Sequence, residues 1–196
     1  MKKILWIAVV AFVLGFTQTS CNYNALVTSE EEVNAAWGQV ENVYQRRADL
    51  IPQLVNTVKG AANFEKSTFE AVTQARAAAA SVKIDPSNMS AEDLAKFQEA
   101  QDQVGSSLNR LLVTVENYPE LKANQNFVEL QAQLEGTENR IAVERKKYNE
   151  VAQKYNTDRR QFPRILFAKL YGFKERPYFE AAAGAEQAPT VEFDFN

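Results

Sequence analysis

The sequence predicts an all-α protein, and three observations carry that expectation. Glycine and proline are scarce, 7 and 6 among 196 residues, while alanine, glutamate, glutamine, lysine and leucine are plentiful, a mixture that favours helix over sheet. Apolar residues recur at alternating spacings of three and four along most of the chain, the period of one buried helical face. The interruptions are short and carry turn and capping residues. The architecture expected is an antiparallel up-and-down four-helix bundle following an N-terminal signal or anchor segment, with residues 1–21 as that segment, 22–175 as the bundle and 176–196 as an acidic, loosely ordered tail.

Met1-Lys2-Lys3 precedes Ile4 to Phe16, thirteen residues without a charge. A spanning helix needs about 20 apolar residues, so the run is short for one and suits a signal-peptide core. No basic residue follows until Arg46, and this asymmetry keeps the extreme N-terminus in the cytoplasm and sends the rest across. The single cysteine, Cys21, lies directly after the leader behind Thr19 and Ser20, as in a bacterial lipoprotein lipidated at that cysteine. An uncleaved membrane anchor, prolonged through Tyr23, Ala25, Leu26 and Val27, is the alternative. Both readings tether the globular part on the periplasmic or extracytoplasmic side. A lone cysteine excludes an internal disulfide.

The first helix shows Val33, Trp37, Val40, Tyr44, Ile51, Leu54 and Val58 on one stripe, with Arg47 in the vacant slot between Tyr44 and Ile51. Pro52 stands in its interior, where it removes one backbone hydrogen bond and costs about 3 kcal/mol. Gly60 suits the helix end and Asn63 a new start. A second helix from Phe64 to about Lys83 carries Phe69, Val72 and an alanine-rich run. Asp85-Pro86-Ser87-Asn88 breaks the pattern, and Ser90-Ala91-Glu92-Asp93 reads as a capped start with an acidic first turn. A third helix then follows Leu94, Phe97, Gln101, Val104, Leu108, Leu111 and Val115 in coiled-coil-like heptad spacing, and ends at Asn117-Tyr118-Pro119. The fourth follows Phe127, Leu130, Leu134, Thr137, Ile141, Glu144, Tyr148, Val151 and Tyr155.

Counting residues up and down these four segments brings the chain back to its starting level without long crossovers. The same count sets Arg47 opposite residues near 139, within two turns of Glu138 and Glu144, and an ion pair with one of them is expected because an unpaired buried charge is prohibitively costly. Snorkelling of Arg47 to water along its aliphatic stem is the competing reading. The aromatic stretch from Phe162 to Phe173, with Arg164 and Lys169, is expected to form a short helix covering the bundle end; an interfacial segment on lipid is the alternative. In the tail, Val191, Phe193 and Phe195 alternate as a docking strand would.

The chain has no histidine, which removes the usual general base, the commonest metal ligand and the group that titrates near neutrality. Ferritin-like di-metal sites built on Glu-x-x-His pairs are therefore ruled out, and no metal or other cofactor is expected. No nucleophile motif or phosphate-binding glycine loop is present. A carboxylate pair such as Asp49 and Glu138 is the one enzymatic arrangement left. Net charge is −3, or −5 without Lys2 and Lys3 (20 basic against 25 acidic residues), so nucleic acid is not an expected partner.

Tyr23-Asn24-Ala25-Leu26-Val27, Ala36-Trp37, Arg46-Arg47-Ala48-Asp49-Leu50-Ile51-Pro52-Gln53-Leu54-Val55, Val58-Lys59-Gly60, Glu116 to Ala123, Leu134 to Ile141 and Phe162-Pro163 together resemble the LemA family over about residues 23 to 175. That resemblance implies a membrane-anchored helical bundle without an established enzymatic activity, associated with membrane-protein quality control in the cell envelope. Family members typically carry an N-terminal transmembrane segment, from which the lipoprotein-like Cys21 departs. The expected function is a noncatalytic scaffold or interaction module at a membrane, with protein partners or further copies of itself meeting the element formed by Arg46, Arg47, Asp49 and Pro52. Direct lipid sensing or membrane remodelling is the alternative, and a carboxylate enzyme comes third.

Overall fold

A computed structural model describes the backbone of residues 2–60 and 65–180 and, within these, side chains from residue 22 onward. The described residues are helical, without strands. They form α1 (Lys2–Lys59), α2 (Lys66–Ser81), α3 (Ala91–Val115), the single turn α4 (Pro119–Lys122), α5 (Gln125–Arg160) and α6 (Arg164–Tyr171), with a 3-10 turn at Pro86–Asn88. Cys21 and the residues expected to dock from the tail, Val191, Phe193 and Phe195, lie outside the described side chains, as does Asn63. No helix among the described residues is long and apolar enough to cross a membrane.

The helix ends follow local chemistry. Ser90 accepts a hydrogen bond from the Asp93 amide at 3.1 Å while Asp93 accepts one from the Ser90 amide at 3.1 Å, the reciprocal arrangement that satisfies two otherwise unpaired amides of α3. Asn124 performs the same service for α5, accepting from the amides of Asn126 and Phe127. Gly172, at φ 77°, ends α6 in the left-handed region, where a glycine has no Cβ to clash.

The packing is built from the expected stripes. Val33, Trp37, Val40, Tyr44, Ile51, Leu54 and Val58 of α1 are all buried, as are Leu94, Phe97, Gln101, Val104, Leu108, Leu111 and Val115 of α3. The α1 stripe starts earlier than its periodicity suggested. Leu26 is fully buried, and buried Ser29 donates to the Leu26 carbonyl at 3.1 Å, so its hydroxyl is satisfied within the helix. Near the C-terminal end of α5 the stripe shifts by one residue. Ala152 is buried where Val151 was expected, and Val151 packs only partly.

Cross-helix contacts fix the relative directions. From Glu32 with Lys154 to Arg47 with Glu138, numbers rise along α1 as they fall along α5, so these helices run oppositely. Lys59 lies over the Phe69 ring and Arg76 reaches Ala48, so α2 also opposes α1. On α3, Phe97 meets Trp37 and Tyr44 whereas Gln101 meets Arg47, giving the same sense as α1. One apolar cluster joins the Gly60 end of α1 to α2, α3 and the start of α5; a second joins residues 33–44 to the start of α3, the later half of α5 and Phe179.

Phe179 belongs to a segment whose order the sequence pattern did not announce. Beyond α6, residues 173–180 form an extended strap laid along α5. The loose tail was expected to begin at residue 176, yet Arg176 is 1% exposed and Phe179 6%. Residues 181–196 lie outside the described part.

Candidate functional site: the Arg46–Pro52 element and the strap

Arg47 is 3% exposed and lies where α1, α3 and α5 meet. Its Nη1 donates to Glu138 Oε1 at 2.7 Å. Its Nη2 donates to the Gln101 backbone oxygen at 3.0 Å and to the Gln101 side-chain oxygen. Its Cζ lies 5.1 Å from the centre of the Tyr44 ring, within cation–π range. The guanidinium fork suits this role because it can satisfy several acceptors in one plane. Glu144, the other acceptor weighed for Arg47, instead accepts from Lys147 at 2.8 Å on its own helix.

The neighbouring residues have separate tasks. Arg46 is exposed and donates to Gln133 Oε1 at 3.2 Å. Asp49, also exposed, accepts from the Gln45 amide at 2.7 Å. The carboxylates considered as an acid–base pair, Asp49 and Glu138, thus have different partners, an amide for one and a guanidinium for the other.

Pro52 is exposed, and α1 continues through it. Lacking an amide hydrogen, it leaves the Ala48 carbonyl one turn earlier without its helical donor. Arg76 of α2 supplies a replacement, its Nε donating to the Ala48 oxygen at 2.8 Å. The carbonyl freed by the proline is therefore taken within the chain. Through Arg47 and Ala48 the element bonds to α2, α3 and α5 at once.

Beside it lies a cavity of about 150 Å³, lined in part by Tyr44, Arg47, Ala48, Arg76, Phe97 and Gln101. Substrate and cofactor sites run from about 300 Å³ upward, so this space suits small solvent rather than a metabolite. Its one deeply buried charge, Arg47, already has its acceptors. Burial raises the Tyr44 phenol above its ordinary pKa, against the lowering influence of Arg145 and Arg47. No group of three or more acidic or cysteine side chains able to hold a metal occurs among the described residues.

The second polar cluster holds the strap. Asn149 and Asn156 of α5 each bracket one strap residue. Asn156 accepts from the Arg176 amide at 2.9 Å and donates to the Arg176 carbonyl at 2.7 Å. Asn149 does the same for Phe179, at 2.9 Å in both directions. Seven residues of helix rise about 10 Å and three residues of extended chain about 10 Å, so asparagines seven apart match strap residues three apart. Tyr148 and Tyr155, offset by the same seven residues, donate to the carbonyls of Pro177 and Lys174 at 3.2 and 2.9 Å. Burial pushes both phenols up to about 12.

Arg176 then reaches back to α1. Its Nη2 donates to Glu30 Oε1 at 2.9 Å and Asn34 Oδ1 at 3.3 Å, and its Nη1 to the Pro86 carbonyl. Phe179 stacks 6.0 Å from Trp37, meets Tyr148 edge-on at 5.4 Å, and is covered by Arg145 at 4.7 Å. The available sequence signal was the doubled Tyr-Asn pair, Tyr148-Asn149 and Tyr155-Asn156. Only the tyrosines were taken into the helical stripe.

The LemA family profile matches residues 36–193, a span that includes both clusters. The chain belongs to the LemA family. Among its relatives, Magnetosome protein MamQ of Magnetospirillum gryphiswaldense is 29% identical over 202 residues, covering 94% of this chain and 74% of the relative. Magnetosome protein MamQ 1 of Paramagnetospirillum magneticum is 28% identical over 197 residues, covering 92% and 72%. Protein LemA of Metamycoplasma hominis is 23% identical over 134 residues, 68% of this chain and 58% of that protein. Within this LemA-family chain, the Arg46–Pro52 element and the strap are cross-braces between helices.

Proposed function

We propose that this LemA-family protein is a noncatalytic scaffold, an antiparallel bundle of its four long helices tethered to a membrane by its N-terminal segment on the periplasmic or extracytoplasmic side. The observation that carries this reading is α1 itself. One helix runs from Lys2 to Lys59, joining the uncharged run of residues 4–16 to the packed body. The polar residues that stand out are spent internally, Arg47 on α3 and α5, Arg76 on α1, and Arg176 on α1 and the 3-10 turn. Two of the relatives are named for a cellular body, the magnetosome, rather than for a reaction, which is in keeping with a scaffold.

The outward face of the same element, with Arg46, Asp49, Pro52, Gln53 and Asn56 all exposed, is the surface offered to protein partners or to further copies, including those that maintain envelope proteins. The test is fractionation of the full chain against a variant lacking residues 1–21. The full chain is expected in the membrane pellet after a high-salt wash and the variant in the supernatant; a full chain that washes off refutes the tether. Intact mass of the extracted protein then separates lipidation at Cys21 from a retained spanning segment. Photo-crosslinking from Asn56 tests the face, and a bare monomer band on intact membranes would count against it.

A further inference from the structure

The helix α6 has two unlike faces. Ala168 is buried, and Ile165 and Phe167 are half-buried. The other side carries Leu166 at 58% and Leu170 at 74% exposure, four residues apart, with Tyr171 at 55% beside them and Phe162 at 82% just before the helix. With Tyr23, these are five of the nine large apolar side chains exposed among the described residues; the other four, Val113, Val128, Val143 and Tyr178, are spread over α3, α5 and the strap. Apolar side chains scattered singly need no explanation, whereas a contiguous patch marks a contact surface.

The position of the patch identifies what it contacts. Tyr23 meets Tyr171 at 4.9 Å and Phe173 at 5.9 Å, which seats the end of α6 against α1 at residue 23. Along α1, seven residues or about 10 Å separate Tyr23 from Phe16, the last of the apolar run. Cys21 is two residues away. Whether the chain is held by a spanning helix or by a lipidated Cys21, this end of the body lies at the bilayer surface. The sequence of α6, RILFAKLY, contains two cations and no acid. Arg164 pairs with Asp158 at 2.8 Å, and Lys169 is exposed beside the patch. Tyrosines at headgroup depth with a nearby lysine are what a lipid interface favours.

We infer that α6 is a membrane-seated foot, with Phe162, Leu166, Leu170 and Tyr171 entering the headgroup region of the same bilayer that holds the N-terminus. This rests on the tethered reading above and adds a second point of attachment to it. Two attachment points restrain the tilt of the body, which a tether alone does not. A second copy of the chain is a poorer occupant, because a stable protein interface engages about 20–30 residues a side and this patch offers a handful.

The test uses the full chain carrying Trp6→Phe, so that buried Trp37 is the sole background emitter, with a further probe at Leu170→Trp or, as a control at an exposed site of α3, at Val113→Trp. Each protein is reconstituted into phosphatidylcholine–phosphatidylglycerol vesicles with or without lipids brominated near the headgroup. An interfacial residue sits about 5–10 Å into the headgroup boundary, and shallow bromines should quench roughly half or more of the emission added by Leu170→Trp while sparing that added by Val113→Trp. Flotation with the vesicles but equal, weak quenching of both probes overturns the foot and leaves the tether standing. Failure of the full chain to float overturns both. Weak quenching combined with self-association abolished by Leu166→Glu with Leu170→Glu assigns the patch to a second copy and also overturns the proposal. Since Leu170 and Val113 are both well exposed, neither probe disturbs the packing.

Discussion

Two arginines are buried among the described residues, and they are held in opposite ways. Arg47 projects from a rigid helix into the seam it forms with α3 and α5, and its own backbone is held by α1 whatever happens to the side chain. Arg176 sits on an extended strap with no secondary structure of its own, so its side chain and the asparagines of α5 must hold the backbone as well. Glu138, the acid beside Arg47, is 46% exposed, whereas Glu30, beside Arg176, is 27% exposed. Arg47 thus ties helices to one another, while Arg176 ties chiefly the strap to the helices.

That contrast can be broken by substitution. Arg47→Met keeps the stem packing but strands the Gln101 side chain and loses bonds across three helices; a loss of about 3 kcal/mol in global stability is expected, read as a lower urea midpoint. A loss below about 1 kcal/mol, the range of exposed pairs, would mean that Arg47 is only a snorkelling side chain. Arg176→Met is expected to cost about 2 kcal/mol, expressed locally. Amide exchange at Arg176 and Phe179 should quicken by tenfold or more, roughly the equivalent of 1.4 kcal/mol, while α1 and α5 keep most of their protection. Equal loss of protection throughout would show that strap and helices unfold as one unit.

Alkaline pH acts first on the strap. The Tyr148 and Tyr155 phenols are raised to about 12 by burial from an unfolded value near 10. Their contribution is fully present below pH 10 and is lost as pH climbs toward 12, because the unfolded chain releases these protons first. Melting temperature should fall across that window, and strap amides should lose protection before those around Arg47. A flat profile from pH 9.5 to 11.5 would contradict the burial.

The smallest effect concerns the proline. Arg76→Ala should cost about 1 kcal/mol, because it orphans the Ala48 carbonyl. In a Pro52→Ala background the restored amide takes that carbonyl, and the same change should cost only a few tenths. Coupling below about 0.3 kcal/mol in this double-mutant cycle would show that Arg76 does not replace the missing helical bond.

Helix positions and their buried faces were legible because each was written many times over, once per turn. Leu94 through Val115 repeat one instruction seven times, and even Gln101 obeys it. The slot of Arg47 was visible as a gap in that rhythm, and counting along opposed helices brought it near Glu138, although counting could not choose between Glu138 and Glu144. Glu144 lies about one and two-thirds turns farther along α5 and finds Lys147 locally. The strap was illegible for the converse reason. Its order comes from single contacts between residues about 20 to 30 positions apart, such as Asn156 with Arg176 and Asn149 with Phe179, and no period along residues 173–180 reports them. The Arg76 bond to Ala48 was hidden too, because helix rules state which carbonyl a proline frees but not which donor arrives.

From Tyr23 to Lys59, α1 rises about 54 Å with no loop to bend at, and the backbone bond lost at Pro52 is replaced by Arg76. Such a rod behaves mechanically as a mast. A displacement imposed at its tip, beside Gly60, is therefore carried along the helix toward Tyr23 rather than taken up in a hinge.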